Sequence, residues 1–361
     1  MNVVIPAPRR AAPSVRTDEA LPEAAARFPE WRYMGSKKRL LPWIHGVLQD
    51  LDFETALDPF SGSGAVGYLM KTMGRRVTAT DFLNVSATIA SALIENDSAV
   101  LDEAAVGTLV AEAPGAPDFI ARTFTGVFYT PEDLVFLDRV SANLARLDDA
   151  HQRALATAAL ARSCLKRQPR GVFTIAGDVS HYDDGRRDLR LSIEEHFHEQ
   201  VAVMNKAVFS NGRKNKAYKR DVFEGDLRGI DLVYLDPPYV PRADDNCYVK
   251  RYHFIEGLSC YWRDLEIMER TKVKKFAKRY TPFSYRSEAT EAFARMFERF
   301  RKQTIVLSYS SNGYPDLDVL LGLMQKHKRR VETFTRPHRY HFGTHGTVKR
   351  AVVEEYLIVG R

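Results

Sequence analysis

Apolar residues recur along the chain with two spacings, and each predicts a different element. Short apolar runs bounded by Gly, Pro or Asp read as strands: Glu54–Asp58, Arg76–Thr80, Leu232–Leu235 and Thr304–Ser308. Asp231-Leu-Val-Tyr-Leu-Asp-Pro-Pro-Tyr239 opens with apolar side chains at successive positions, as a strand buried on both faces of a parallel sheet requires. Helical spacing fills the intervals. One helix is expected from near Ser36, which can cap it, to about Leu48 despite Pro42. Another starts at Thr130-Pro-Glu-Asp133 and places Leu134, Leu137, Val140, Leu144 and Leu147 on one face. An alanine-rich helix follows from Asp149 to Leu165, and the stretch from about Asn84 to Leu165 is mostly helical. A helix from about Ser287 to Arg301 buries Ala292, Phe293, Met296, Phe297 and Phe300, and a closing hairpin pairs Arg339–Phe342 with Val348–Val359. Strands alternating with helices predict an α/β fold with a mostly parallel sheet and a terminal antiparallel hairpin.

The polar residues at the strand ends carry the candidate chemistry, because ligands of open parallel sheets bind at the carboxyl ends of the strands. After the first strand comes Asp58-Pro-Phe-Ser-Gly-Ser-Gly64, whose glycines, with Gly67, allow close approach of a ligand or a helix. Asp81 closes the second strand some twenty residues on, the spacing at which an acid takes ribose hydroxyls. The turn lacks the Gly-Lys-Ser/Thr ending of a triphosphate loop, so ATP is not the favoured ligand. Upstream, Tyr33 and Lys37 flank the Gly35-Ser36 turn, where backbone N–H groups can hold a carboxylate, although a solvated Lys-Lys-Arg face explains that segment equally simply. At the end of the third strand, Pro237 and Pro238 stiffen the chain where Asp236 and Tyr239 emerge. Taken alone, this tetrapeptide fits a plain strand-ending turn as well as a site.

Composition narrows the partners. The 53 Lys and Arg against 46 Asp and Glu leave a formal charge of +7, which suits a polyanion without demanding one. Between residues 166 and 220, Arg167, Arg170, Arg186, Arg187, Arg190, Arg213, Lys214, Lys216, Lys219 and Arg220 interleave with Phe173, His181, Tyr182, Asn211 and Asn215, a texture that suits phosphates and base edges. Three cysteines, Cys164, Cys247 and Cys260, imply neither a disulfide framework nor a zinc site, and point to a reducing, cytoplasmic setting. His196, His198, His338, His341 and His345 have no convincing co-ligands, so no metal is expected. No apolar run is long enough for a membrane span, and residues 1 to about 28 read as a flexible leader.

With these motifs in order, Tyr33-Met-Gly-Ser-Lys37, Asp58–Gly64, Asp81, Asp221-Val-Phe223 and Asp236-Pro-Pro-Tyr239, the chain from about Trp31 onward resembles the Dam-like, D12-class, alpha-group N6-adenine DNA methyltransferases. The resemblance implies a Rossmann-like S-adenosylmethionine-dependent methyltransferase sheet formed by residues 29–98 and 221–361. Residues 99–220 would be an inserted, mainly helical, basic target recognition region. It assigns Tyr33, Lys37, Asp58, Phe60, Gly62, Gly64, Asp81, Phe82 and Asp221 to the cofactor, with Val222 where Phe is usual and Asp226 as a rival to Asp221. It assigns Asp236, Pro237, Pro238 and Tyr239 to catalysis on an adenine flipped from double-stranded DNA, and it is compatible with a cognate restriction endonuclease acting separately. N4-cytosine methylation, RNA or protein-glutamine methylation and a catalytically inactive DNA-binding relative stay open as alternatives, with Asp at position 236 favouring adenine. Phe254, Trp262 and the Tyr309–Asn312 turn fit either the adenine pocket or the core.

Overall fold

The computed structural model describes residues 18–177, 184–238, 240–241, 248–277, 279–339 and 352–361. The helices are α1 (Leu41–Leu48), α2 (Ala65–Thr72), α3 (Asn84–Ala90), α4 (Glu103–Val110), α5 (Phe119–Phe124), α6 (Pro131–Asn143), α7 (Ala150–Arg167), α8 (Arg187–Arg190), α9 (Ile193–Ala207), α10 (Tyr248–Cys260), α11 (Arg286–Arg299) and α12 (Leu317–Gln325). The strands are β1 (Thr55–Asp58), β2 (Arg76–Asp81), β3 (Lys216–Lys219), β4 (Leu232–Leu235), β6 (Thr304–Ser310), β8 (Val331–Arg339) and β9 (Val352–Gly360), with two short strands, β5 (Val240–Pro241) and β7 (Gly313–Tyr314), paired beside them.

Among the described residues, one seven-stranded sheet has the order β3-β2-β1-β4-β6-β9-β8. It is parallel from β3 to β6, and β9 runs antiparallel to both of its neighbours. This is the expected mostly parallel α/β sheet closed by an antiparallel hairpin. The chain winds outward from β1 to β3 on one side and from β4 to β6 on the other. The crevice between the ends of β1 and β4 is therefore the topological switch point, where such sheets bind ligands. Every residue of β4 is buried, which is why its sequence shows no alternation.

Several local expectations shift. Lys37–Leu40 forms a 3-10 turn and the α-helix begins at Leu41, with Pro42 in its first turn, where a missing N–H costs nothing. Ser36 makes no capping bond. The hairpin strand expected at Arg339–Phe342 is Val331–Arg339, built on β-branched residues around Thr333 and Thr335, and residues 340–351 lie outside the described part. The far end of the supposed leader is packed: Ala25 and Phe28 are buried, and the Phe28 ring lies 5.1 Å from that of Tyr68.

Helices α4 to α9 occupy the stretch read as an insertion, but Lys216–Lys219 at its end joins the sheet as β3. Several basic and amide residues expected to contact nucleic acid instead hold the fold. Arg167 is buried in an ion pair with Asp133 at 2.5 Å. Asn211 donates to the carbonyls of Lys71 and Arg75 at 2.9 Å, Asn215 accepts from the Val77 N–H at 2.9 Å, and Phe173 is wholly buried. Side chains held in such inward contacts are not presented to a phosphate at the surface. Arg186, Arg187, Arg190, Arg213 and Lys214 are exposed, whereas His181 and Tyr182 fall outside the described residues.

Candidate active site

Three strand ends converge on one cleft. At the end of β1, Asp58 leads into a turn in which Gly62 and Gly64 take φ of +50° and +80°, a left-handed conformation that favours glycine. The turn is tied across the sheet by Ser61 N–H to the Thr80 carbonyl at 3.1 Å. At the end of β2, Asp81 accepts from the Gly62 N–H through Oδ2 and from the Leu83 N–H through Oδ1, both at 2.9 Å. Burial still dominates its ionisation and pushes its pKa up to about 6. Beside it, Phe82 is half-buried, and the Arg279 guanidinium sits 5.2 Å from its ring centre.

At the end of β4, Asp236 meets Lys37 in an ion pair of 3.0 Å. Lys37 is only 6% exposed, so the Lys-Lys-Arg segment is not a uniformly solvated face. Burial raises the Asp236 pKa, Lys37 pulls it back, and the Glu355 carboxylate adds to the rise. Lys37 thus holds charge on a carboxylate that its surroundings disfavour.

The cleft is partly open to solvent. Of the expected residues, Tyr33, Lys37, Asp58, Phe60, Gly62, Asp81, Phe82, Asp236 and Pro238 line it. Gly64 does not: its missing Cβ faces Ile89 and Ile94, so its role is the turn and helix packing. Asp221 is also elsewhere. Its exposed carboxylate accepts from the Phe223 N–H at 2.9 Å and borders a separate groove with Leu57, Pro59 and Tyr218. Pro237, between Asp236 and Pro238, is buried and is not among the lining residues, and Tyr239 lies outside the described residues. Phe254 and Trp262 belong to the core, each 5.0 Å from the Phe124 ring, and Tyr309 packs edge-on against Phe293 at 5.6 Å.

The donor set fits a polar, positively charged guest. Among the described residues, Asp58 Oδ1 and the Ser61 hydroxyl have no hydrogen-bond partner and are buried at the cleft. Burial, then the negative charges of Asp236 and Asp81, pushes the Asp58 pKa up to about 8, so a cationic ligand would relieve it. At Gly62 an added Cβ would make only an ordinary contact, 3.5 Å from the Tyr33 ring, so what favours glycine there is its positive φ. Ser36, Ser61, Ser63 and Tyr234 also line the cleft. Periodicity cannot single out such residues, since small polar side chains in a turn have the same pattern whether or not they face a ligand.

The description of the D12 class N6 adenine-specific DNA methyltransferase matches residues 33–306. The Type II methyltransferase M2.HphI of Haemophilus parahaemolyticus is 29% identical over 87% of this chain and 93% of its own length. The Type II methyltransferase M.NlaIII of Neisseria lactamica is 22% identical over 78% of this chain and 84% of its own. The Type II methyltransferase M.FokI of Planomicrobium okeanokoites is 23% identical over 82% of this chain, which spans only 47% of that relative's length.

Proposed function

The chain belongs to the D12 class of N6 adenine-specific DNA methyltransferases, which methylate adenine at specific sites, and we propose how its cleft divides that work. The cleft takes S-adenosylmethionine, which supplies, when bound, a methyl group activated by its positive sulfur. Tyr33, Lys37 and the turn at Phe60–Gly62 hold the methionine part, Asp58 faces its positive charge, Asp81 accepts from the ribose hydroxyls, and Phe82 lies against the adenine ring. The unpartnered Asp58 oxygen supports this reading. Asp221 drops out of it, because its carboxylate borders another groove.

The target is an adenine, whose exocyclic N6 is a weak nucleophile because its lone pair is delocalised into the ring. Asp236 accepts one N6–H and the carbonyl of Pro237 the other, which draws the nitrogen toward a tetrahedral shape and directs its lone pair. Asp236 acts as an oriented acceptor, so its charge matters more than its basicity. To reach it the base must leave the duplex at a cost of a few kcal/mol, of which aromatic stacking returns ~1–3 kcal/mol. The resemblance assigns that stacking to Tyr239.

The observation that carries this reading is the placement of Asp236, charged by Lys37, at the mouth of the same cleft that Asp58, Gly62 and Asp81 line. Asp236→Ala is expected to abolish methyl transfer to DNA while leaving S-adenosylmethionine binding within about threefold, as measured by isothermal titration. Full activity in that variant would refute the assignment. The family resemblance is compatible with a separate restriction endonuclease of the same recognition sequence. Mapping modified adenines after incubation with unmodified genomic DNA would define that sequence.

A further inference from the structure

We propose that Tyr252 and Glu256, one turn apart on α10, are positioning residues that close a ring of contacts around the cleft and set its affinity for the methyl donor. The inference rests on the reading of the cleft given above.

The ring can be followed atom by atom. The Tyr252 hydroxyl accepts from the Met34 N–H at 2.6 Å, and its ring stacks on that of Tyr33 with centroids 4.7 Å apart and planes 7° apart. Tyr33 borders Gly62, whose N–H is held by Asp81, which also holds the Leu83 N–H. Next in the chain, Asn84 gives its backbone and side-chain N–H groups to Glu256 Oε1 at 2.8 Å, and the Val85 N–H goes to Oε2 at 2.9 Å. Glu256 is 3% exposed and caps α3 from outside that helix, where a negative charge is favoured. Residues i and i+4 share one helix face, so a single turn of α10 grips both walls of the cleft. The same turn is anchored from behind. His253 lies against the Phe173 carbonyl at 2.9 Å, and the Phe173 N–H donates to the Arg251 carbonyl at 2.8 Å. Burial pushes the His253 pKa down to about 4, so the ring is neutral and donates through Nε2.

A one-atom deletion tests the idea. In the full-length protein, Tyr252→Phe should weaken S-adenosylmethionine about tenfold, the worth of one buried hydrogen bond. Its kcat on unmethylated genomic DNA at saturating donor should match the parent, while its melting temperature without donor falls by a few degrees because the Met34 N–H loses its partner. Glu256→Gln, which sets an amide N–H against the Val85 N–H, should show the same split. Asp81→Ala is the control for the underlying reading. If it binds the donor as tightly as the parent, the reading of the cleft fails. If it loses binding while Tyr252→Phe and Glu256→Gln keep parental affinity, the ring proposal is overturned and the reading stands. A loss of affinity accompanied by an equal loss of kcat at saturating donor would also overturn it, leaving both residues with a merely structural role.

Discussion

Lys37 and Asp236 are 199 positions apart in the chain and meet at 3.0 Å, and their pairing sets the charge of the carboxylate proposed to orient the adenine. The Asp236 pKa lies above its ordinary value in the folded protein, and the ionised form is the stronger acceptor for an N6–H. Activity therefore falls as pH drops through that pKa. Lys37 opposes the rise, so Lys37→Met should move the acid limb of the kcat profile to higher pH and lower kcat about tenfold or more near neutrality. A profile that keeps its acid limb would show that Lys37 acts on the donor alone. The residue types were readable as candidates, but the ion pair was not. In the sequence Lys37 opens a Lys-Lys-Arg run, and its burial depends on the 3-10 turn that directs it toward β4.

At the scale of elements, helices α6, α7 and α9 are held together by charge as well as by apolar packing. Asp133, in the first turn of α6, accepts from Arg167 at the end of α7 and from the Ile193 N–H at the start of α9 at 2.7 Å. All three helix ends therefore meet at one carboxylate. Removing one partner leaves a buried charge uncompensated, so Arg167→Met should lower the unfolding free energy by ~3–5 kcal/mol in urea titrations. The double variant Asp133→Leu/Arg167→Met should recover part of that loss. A loss below ~1 kcal/mol in the single variant would place Arg167 at the solvated surface that its basic run suggested. The helices themselves were legible. Thr130 caps α6 as its Thr-Pro-Glu-Asp start predicts, and α7 keeps its basic C-terminus. What composition could not separate is an arginine that pairs inward from one that faces solvent.

At the scale of the whole molecule, the formal charge of +7 is modest for a protein that engages a polyanion. Arg167 is spent on the fold, so DNA attraction falls to the exposed basic residues. Binding should be salt-dependent, with log K against log salt concentration falling at a slope of about −5, as neutralising some six phosphates would give. A slope near zero in fluorescence-anisotropy titrations would mean that phosphate contacts contribute little. Among the described residues, no helix is long and apolar enough to cross a membrane, and no group of three His, Cys, Asp or Glu is placed to hold a metal ion.

The sequence by itself determined the parallel α/β class, the glycine turn after β1, the acid ending β2 and the Asp-Pro-Pro end of β4. These follow from local physics: β-strand burial, positive φ at Gly62 and Gly64, and the stiffness of consecutive prolines. Only the tertiary structure decided which of the candidates share a cleft. It joined Lys37 to Asp236, set Asp221 in another groove, used Asn211 and Asn215 to satisfy backbone groups, and brought Tyr252 and Glu256 of α10 to opposite walls of the site. Such pairings connect segments far apart in the chain. Residue type and spacing say what a side chain can do, while burial and the register of the sheet choose its partner.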